Sequence, residues 1–160
     1  MKKVSLVIVG AGGRGGVYAK YAEAFPEDAE VVAVCEPRPQ WRERMARAHK
    51  LPPERCFADW RDLLKHPRLA DAAVIATVED LHHEIAVALA GLNYHLLLEK
   101  PMARTEEECR EIYEAARANN ILLAVCHVLR YTDWFTKLKG MIDSGLIGQV
   151  RHIAATELVG

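Results

Sequence analysis

Gly10-Ala11-Gly12-Gly13-Arg14-Gly15 puts glycines at the first, third and sixth places of a six-residue run. Missing side chains at those places let a backbone turn tightly, let a large anion approach main-chain N–H groups, and let a helix pack closely on a strand. The chemistry on offer is the holding of a pyrophosphate at a helix N-terminus, where the dipole and unbonded N–H groups favour negative charge. The glycines are Gly10, Gly12, Gly13 and Gly15, and with Arg14 they form the first group of candidate dinucleotide contacts.

Glu36 closes the next apolar run, where a carboxylate can accept hydrogen bonds from both hydroxyls of an adenosine ribose. A carboxylate there repels a 2′-phosphate, so NAD is favoured over NADP. Arg38, two residues on, could attract such a phosphate, lie on the adenine face, or stay in solvent. A glycine turn without a ligand and a solvated loop acid are the plainer alternatives.

A second group of chemically able residues follows two later apolar runs. Ala76-Thr77-Val78-Glu79-Asp80-Leu81-His82 ends one, and Glu99-Lys100-Pro101 ends the other. If both runs are parallel strands, their C-terminal ends share one edge of the sheet, the edge at which ligands bind in open α/β folds. Thr77, His82, Glu99 and Lys100 are therefore expected near the nicotinamide end of a dinucleotide. Lys100 is the cation among them, and desolvation there would lower its pKa toward a useful acid or base range. The bond before Pro101 is a candidate cis peptide. His82, His83 and Glu84 lack HExxH spacing and have no further ligand cluster, so no metal is expected.

The elements that must position these residues can be read from periodicity. Short apolar runs are predicted as strands at Val4–Val9, Glu30–Cys35, Asp71–Ala76, Tyr94–Leu98 and Ile121–Val125. Segments of helical period lie between them: Gly15–Phe25, Pro39–His49, Trp60–Leu64, Leu81–Ala90, Thr105–Asn119 and Thr132–Asp143. Thr105 and Glu108 have capping-box spacing, with Cys109, Ile112, Tyr113 and Ala116 on one face. The alternation predicts an α/β fold, a doubly wound and mostly parallel Rossmann sheet in three αβα layers. Gln149–Gly160 is expected to be a strand after a glycine turn. It reads as the start of a second domain or as a terminal edge strand of the same sheet. The expected division is 1–127 for the dinucleotide-binding domain, with 128–160 as an interdomain helix and the first strand of a further domain.

Composition narrows the class. With 160 residues, 51% of them hydrophobic, the chain can bury one core. Its 21 Lys and Arg balance 22 Asp and Glu, so no field draws it to nucleic acid. No stretch approaches the roughly 18 to 20 apolar residues of a membrane span. Met1-Lys2-Lys3 and the short run after it imitate a secretion signal, but glycines interrupt it. The four cysteines are far apart and show no disulfide framework, so reduced thiols and a cytoplasmic location are expected.

VGAGGRG at 9–15, VAVCEP at 32–37, the 71–103 stretch ending LLLEKPMA, and HVLRYTDWFTKLKGMIDSGLIGQVRHI at 127–153 together resemble the glucose-fructose oxidoreductase, inositol dehydrogenase and rhizopine-catabolism (Gfo/Idh/MocA) family. The resemblance implies that Lys100 is a catalytic lysine contacting substrate, that Glu99 and Thr77 line the nicotinamide side, and that Pro101 follows a cis bond. It implies hydride transfer between NAD and a sugar, inositol or related polyol, in a parent that is a homo-oligomer. Val78 departs from the family's usual proline. The family's substrate domain supplies a histidine and an acid that this chain does not reach, so the chain alone is expected to bind dinucleotide without turnover. A stand-alone dinucleotide-binding or sensing module is the alternative. It has no evident need of Lys100. His127 and Arg130 follow the last predicted strand and either touch substrate or make interdomain or surface contacts.

Overall fold

A computed structural model describes residues 2–156 of the chain. Six strands form one sheet: β1 (Val4–Val9), β2 (Ala29–Cys35), β3 (Cys56–Phe57), β4 (Ala72–Ile75), β5 (His95–Leu98) and β6 (Leu123–Val125). Every pairing is parallel and the order is β3-β2-β1-β4-β5-β6. The chain leaves the sheet centre in opposite directions from β1 and β4, which opens a crevice between their C-terminal ends. The helices are α1 (Gly13–Ala24), α2 (Pro39–His49), α3 (Trp60–Leu63), α4 (His82–Gly91), α5 (Glu106–Ala118) and α6 (Asp133–Asp143).

Both faces of the sheet are covered, which is why its strands are apolar without alternation. Val7, Val9, Ala73, Ile75, Leu96 and Leu98 pack with Ile85 and Leu89 of α4 and Ile112 of α5. Ile8, Val34 and Val74 point the other way, onto Ala19 and Ala22 of α1 and Met45 of α2. Ile85, Leu89 and Ile112 are fully buried, each worth roughly 1.5–3 kcal/mol by burial alone.

Local signals decide where several elements begin and end. Pro39 opens α2 with its φ already helical and no N–H to satisfy, and Lys50 closes it in the left-handed region. Thr105 and Glu108 form the capping box reciprocally at the start of α5. Ile112 and Ala116 are buried on that helix and Cys109 is half-buried. Tyr113, expected on the same face, is exposed with Arg117 lying against its ring. β5 begins one residue late because Asn93 has a positive φ and the buried Tyr94 accepts a hydrogen bond from Leu69 N–H through its hydroxyl. β6 begins at Leu123 because Ile121 N–H still bonds back to Ala116 O of α5. The two-residue β3 carries no periodic signal and was not expected.

The four cysteines are free. Cys35 and Cys126 are buried, while Cys56 and Cys109 are half-buried; burial pushes the Cys35 thiol well up. No helix among the described residues is long and apolar enough to cross a membrane.

The chain divides into compact units after Cys126. In the second unit, α6 follows a short 3-10 turn over Val128–Tyr131, and Trp134 stacks on Phe135 with ring centroids 5.3 Å apart. The strand expected over Gln149–Gly160 is corrected by the structure: residues 149–156 form none, and 157–160 lie outside the described residues. Small and β-branched residues alone do not make a strand when no partner ladder accepts their N–H groups.

The opposite edge of the sheet holds an acid-sensitive tie. Asp71 Oδ2 accepts from Ser5 N–H at 3.0 Å and Ser5 Oγ–H at 2.8 Å, and Lys2 Nζ lies 3.4 Å from Oδ1. The Ser5 bonds, helped by the Lys2 charge, pull the carboxyl down from 3.8 to about 2. A folded pKa below the unfolded one means the contribution is complete above the unfolded value and disappears as pH falls toward 2. After allowance for solvent screening, Asp71→Asn should remove about 1 kcal/mol of stability at neutral pH. Its unfolding midpoint should converge with that of the unaltered chain below pH 3; parallel curves would exclude the tie.

Candidate dinucleotide site

Burying a polar group is unfavourable unless it finds a partner. Among the described residues the buried polar or charged side chains are Glu36, His82 and Glu99. All three lie at the C-terminal edge of the sheet, at or just beyond the ends of β2, β4 and β5.

The crevice between β1 and β4 opens into a cavity of about 590 Å³, lined by Gly10, Gly13, Arg14, Glu36, Arg38 and Thr77 among others. Its floor is the glycine turn. Gly10 has φ +89°, and a Cβ there would stand 2.5 Å from Ala76 O, just past the end of β4. A Cβ on Gly15 would overlap the carbonyl of Gly10, so this glycine is what lets α1 sit directly on β1. Gly12 would meet only the flexible end of Arg38, and Gly13 nothing within 4 Å. The protein's own packing does not require those two to be glycine, and their bare backbone leaves an open cradle. Gly12 has no side-chain cap to offer, and no acid stands in the first turn of α1. The first N–H groups of the helix therefore remain available to an anion. A smaller hollow of about 240 Å³ lies between α1 and α2, beside Lys20, Trp41 and Arg44.

Glu36 is 2% exposed. Its Oε2 accepts from Ala11 N–H at 2.8 Å and Arg38 Nη2 at 3.1 Å; Oε1 accepts from Arg38 N–H at 3.1 Å and Arg38 Nε at 2.7 Å. Burial pushes this carboxyl up, but the guanidinium and the two backbone N–H groups outweigh it and leave the carboxyl below its usual range. Arg38 also lies 5.5 Å from the Trp41 ring, and Arg42 donates to Glu36 O at 2.5 Å. A carboxylate offers about four lone-pair directions, and all four are in use. Two ribose hydroxyls can be accepted once the Arg38 side chain lets go.

Glu99, 5% exposed, is held from three sides. Tyr18 Oη donates to Oε1 at 2.6 Å, Arg14 Nε lies 3.7 Å from the same oxygen, and Lys100 N–H donates to Oε2 at 2.9 Å. Burial raises the Tyr18 pKa, and Cys126 and Glu99 raise it further, so the phenol stays a donor. Tyr18 escaped the sequence reading. Its spacing of four from Arg14, which puts both on one helix face, was the available signal. Trp60 and Arg61 also line the cavity, Arg61 lying over the Trp60 ring at 4.8 Å and donating to both oxygens of Glu84. No motif in that segment marked them.

The Lys100–Pro101 bond is cis. Lys100 itself is exposed, so this chain does not supply the desolvation expected of it. Thr77 lines the cavity, whereas Lys100 and Glu99 lie outside its lining. His82 lies outside the cavity lining: its side chain is 1% exposed, and both ring nitrogens face protein carbonyls, Nδ1 at 2.8 Å from Pro101 O and Nε2 at 3.3 Å from Thr77 O. His127 and Arg130 belong to the second unit.

The sequence profile of an oxidoreductase family with the NAD-binding Rossmann fold, Gfo/Idh/MocA, matches residues 4–127. Levoglucosan dehydrogenase of Pseudarthrobacter phenanthrenivorans is 31% identical over 165 aligned positions, covering 99% of this chain and 42% of that protein. Inositol 2-dehydrogenase of Salmonella typhimurium is 29% identical, covering 89% of this chain and 42% of the relative. Among solved structures, the WlbA dehydrogenase of Bordetella pertussis, in complex with NADH and UDP-GlcNAcA, superposes with a TM-score of 0.82 at 26% identity over 92% of this chain and 42% of the other. The chain thus spans about two fifths of the length of these relatives.

Proposed function

The chain belongs to the Gfo/Idh/MocA oxidoreductase family, and from that premise we propose that it is the cofactor-binding part of an NAD-dependent dehydrogenase acting on a sugar, inositol or related polyol. The observation that carries this reading is the 590 Å³ cavity at the β1–β4 crevice, with the glycine cradle at its floor and Glu36 at its ribose end. That the relatives are dehydrogenases of levoglucosan and inositol supports both the enzyme reading over a stand-alone module and the polyol class.

NAD, when bound, supplies the nicotinamide carbon that takes or gives the hydride. The residues of this chain do the rest of the binding work. N–H groups at the start of α1 hold the pyrophosphate. Glu36 accepts the ribose hydroxyls as Arg38 swings away, and Thr77 lines the nicotinamide side. Glu99 fixes the backbone of Lys100, and the Lys100 ammonium holds or delivers the proton that accompanies interconversion of carbinol and carbonyl.

Titration of the chain with NADH should quench tryptophan emission, Trp60 being in the cavity wall, and give affinity about tenfold tighter than for NADPH, which corresponds to roughly 1.4 kcal/mol of repulsion at Glu36. Arg38→Ala should widen that gap about fivefold, because it frees Glu36 for the ribose and removes the cation nearest a 2′-phosphate. Equal or reversed affinities in the unaltered chain would overturn the assigned role of Glu36.

A further inference from the structure

His82 is buried to the last hundredth of its surface, yet lies outside the cavity wall, and its two ring nitrogens face main-chain oxygens of two different turns. One oxygen belongs to Thr77, just past β4. The other belongs to Pro101, just past β5 and next to Lys100. Those turns carry the two residues assigned to the nicotinamide end, and no backbone hydrogen bond among the described residues joins Thr77 or Val78 to Lys100 or Pro101. The strands stay paired through Glu99 N–H to Ile75 O, and the ladder stops there. Beyond that point the link is His82 itself, which follows the Thr77 turn by five residues and whose ring reaches Pro101 O.

We propose that His82 is a positioning residue that fixes the spacing between the Thr77 turn and the Lys100 turn, and through it the fit of the nicotinamide half of the dinucleotide. A neutral imidazole has one N–H and one bare nitrogen. The shorter contact, 2.8 Å to Pro101 O, takes the proton on Nδ1, which leaves Nε2 a bare nitrogen that packs 3.3 Å from Thr77 O without a hydrogen bond. The Lys100 turn is therefore the one the ring bonds, and the Thr77 turn is tied to it through the short segment that runs from Thr77 into α4. A side chain starting at the first residue of α4 suits this role because the helix itself is anchored by Ile85 and Leu89, both fully buried, so the ring is carried on a rigid support.

The proposal rests on the cofactor reading, and two ligands separate them. ADP-ribose carries the adenosine, the pyrophosphate and a second ribose but no nicotinamide, so it reports the glycine cradle and Glu36; NADH reports both halves. His82→Ala should weaken NADH about tenfold and leave ADP-ribose within twofold. His82→Asn places its amide nitrogen near the Nδ1 position and should restore NADH to within about threefold of the unaltered chain. His82→Gln places its amide nitrogen near the Nε2 position and should remain at least fivefold weak. If His82→Ala fails to fold, the Asn and Gln pair decides the matter, and equal NADH affinities for those two overturn the proposal. Equal weakening of both ligands in His82→Ala also overturns it, since a general loss of structure would do that. So does equal affinity of the unaltered chain for NADH and ADP-ribose, in which case the cofactor reading survives. Binding of neither ligand by the unaltered chain overturns the cofactor reading and this proposal with it.

Discussion

Lys100→Ala, made in the complete oxidoreductase to which we assign this chain, should lower kcat by about 10²–10⁴-fold, the usual range for removing a positioned general acid or base, while NADH affinity stays within about threefold. The split follows from the geometry. The Lys100 backbone is tied by its N–H to Glu99, and Glu99 is tied to α1 by Tyr18 and Arg14. Those contacts survive truncation of the side chain, so the turn should keep its shape. The ammonium is exposed and outside the cavity lining, so its removal takes nothing from the pyrophosphate or ribose contacts. What disappears is a cation on a flexible four-carbon stem, able to reach a substrate oxygen placed over the sheet edge. A fall of less than threefold in kcat would make Glu99-Lys100-Pro101 a structural corner. Glu99→Gln separates positioning from proton transfer. The amide oxygen still accepts from Lys100 N–H, and its NH2 can donate to the Tyr18 hydroxyl, so kcat should fall much less than in Lys100→Ala.

The parts of this molecule that were legible in the sequence are those fixed by short-range physics. β1 and α2 lie where apolar period, Pro39 and the left-handed Lys50 put them. The capping box of Thr105 and Glu108 forms as its spacing requires. Gly10 and Gly15 occupy positions where a Cβ has no room. Side-chain direction was legible only in part, because it is set by residues far away in the chain. Glu36 was placed at the end of β2, but its capture by Arg38 depends on how α2 enters. Glu99 meets Tyr18 across 81 residues, and His82 meets Pro101 across 19. A histidine at the first turn of a helix after a strand is equally compatible with facing a ligand or facing the protein; only the position of β5 decides. β3 is two residues long and exists because β2 offers it an edge. Gln149 to Thr156 has strand composition but forms no strand.

The interlock of the glycine turn gives the second large effect. Gly15→Ala should destabilise the chain by about 3 kcal/mol, at the upper end for an overpacked site, and weaken NADH about tenfold or more. The added Cβ would fall on the carbonyl oxygen of Gly10, and the Gly10 turn is itself hemmed in, since a Cβ there would stand 2.5 Å from Ala76 O just past β4. Relief requires lifting the N-terminal end of α1 off β1, which separates Ala19 and Ala22 from Ile8 and Val74 and turns the helix N–H groups away from the cavity. Helix propensity acts in the opposite direction, since alanine exceeds glycine by up to about 1 kcal/mol inside a helix. Gly16, one residue on, isolates that second effect: a Cβ there meets nothing within 4 Å. Gly16→Ala should therefore be neutral or stabilising by about 0.5 kcal/mol and should bind NADH normally. Urea unfolding of the two variants, side by side, separates crowding from propensity at adjacent positions of one helix. If they unfold at the same midpoint, the close approach of α1 to β1 does not require glycine at position 15, and the steric account of the whole turn falls with it.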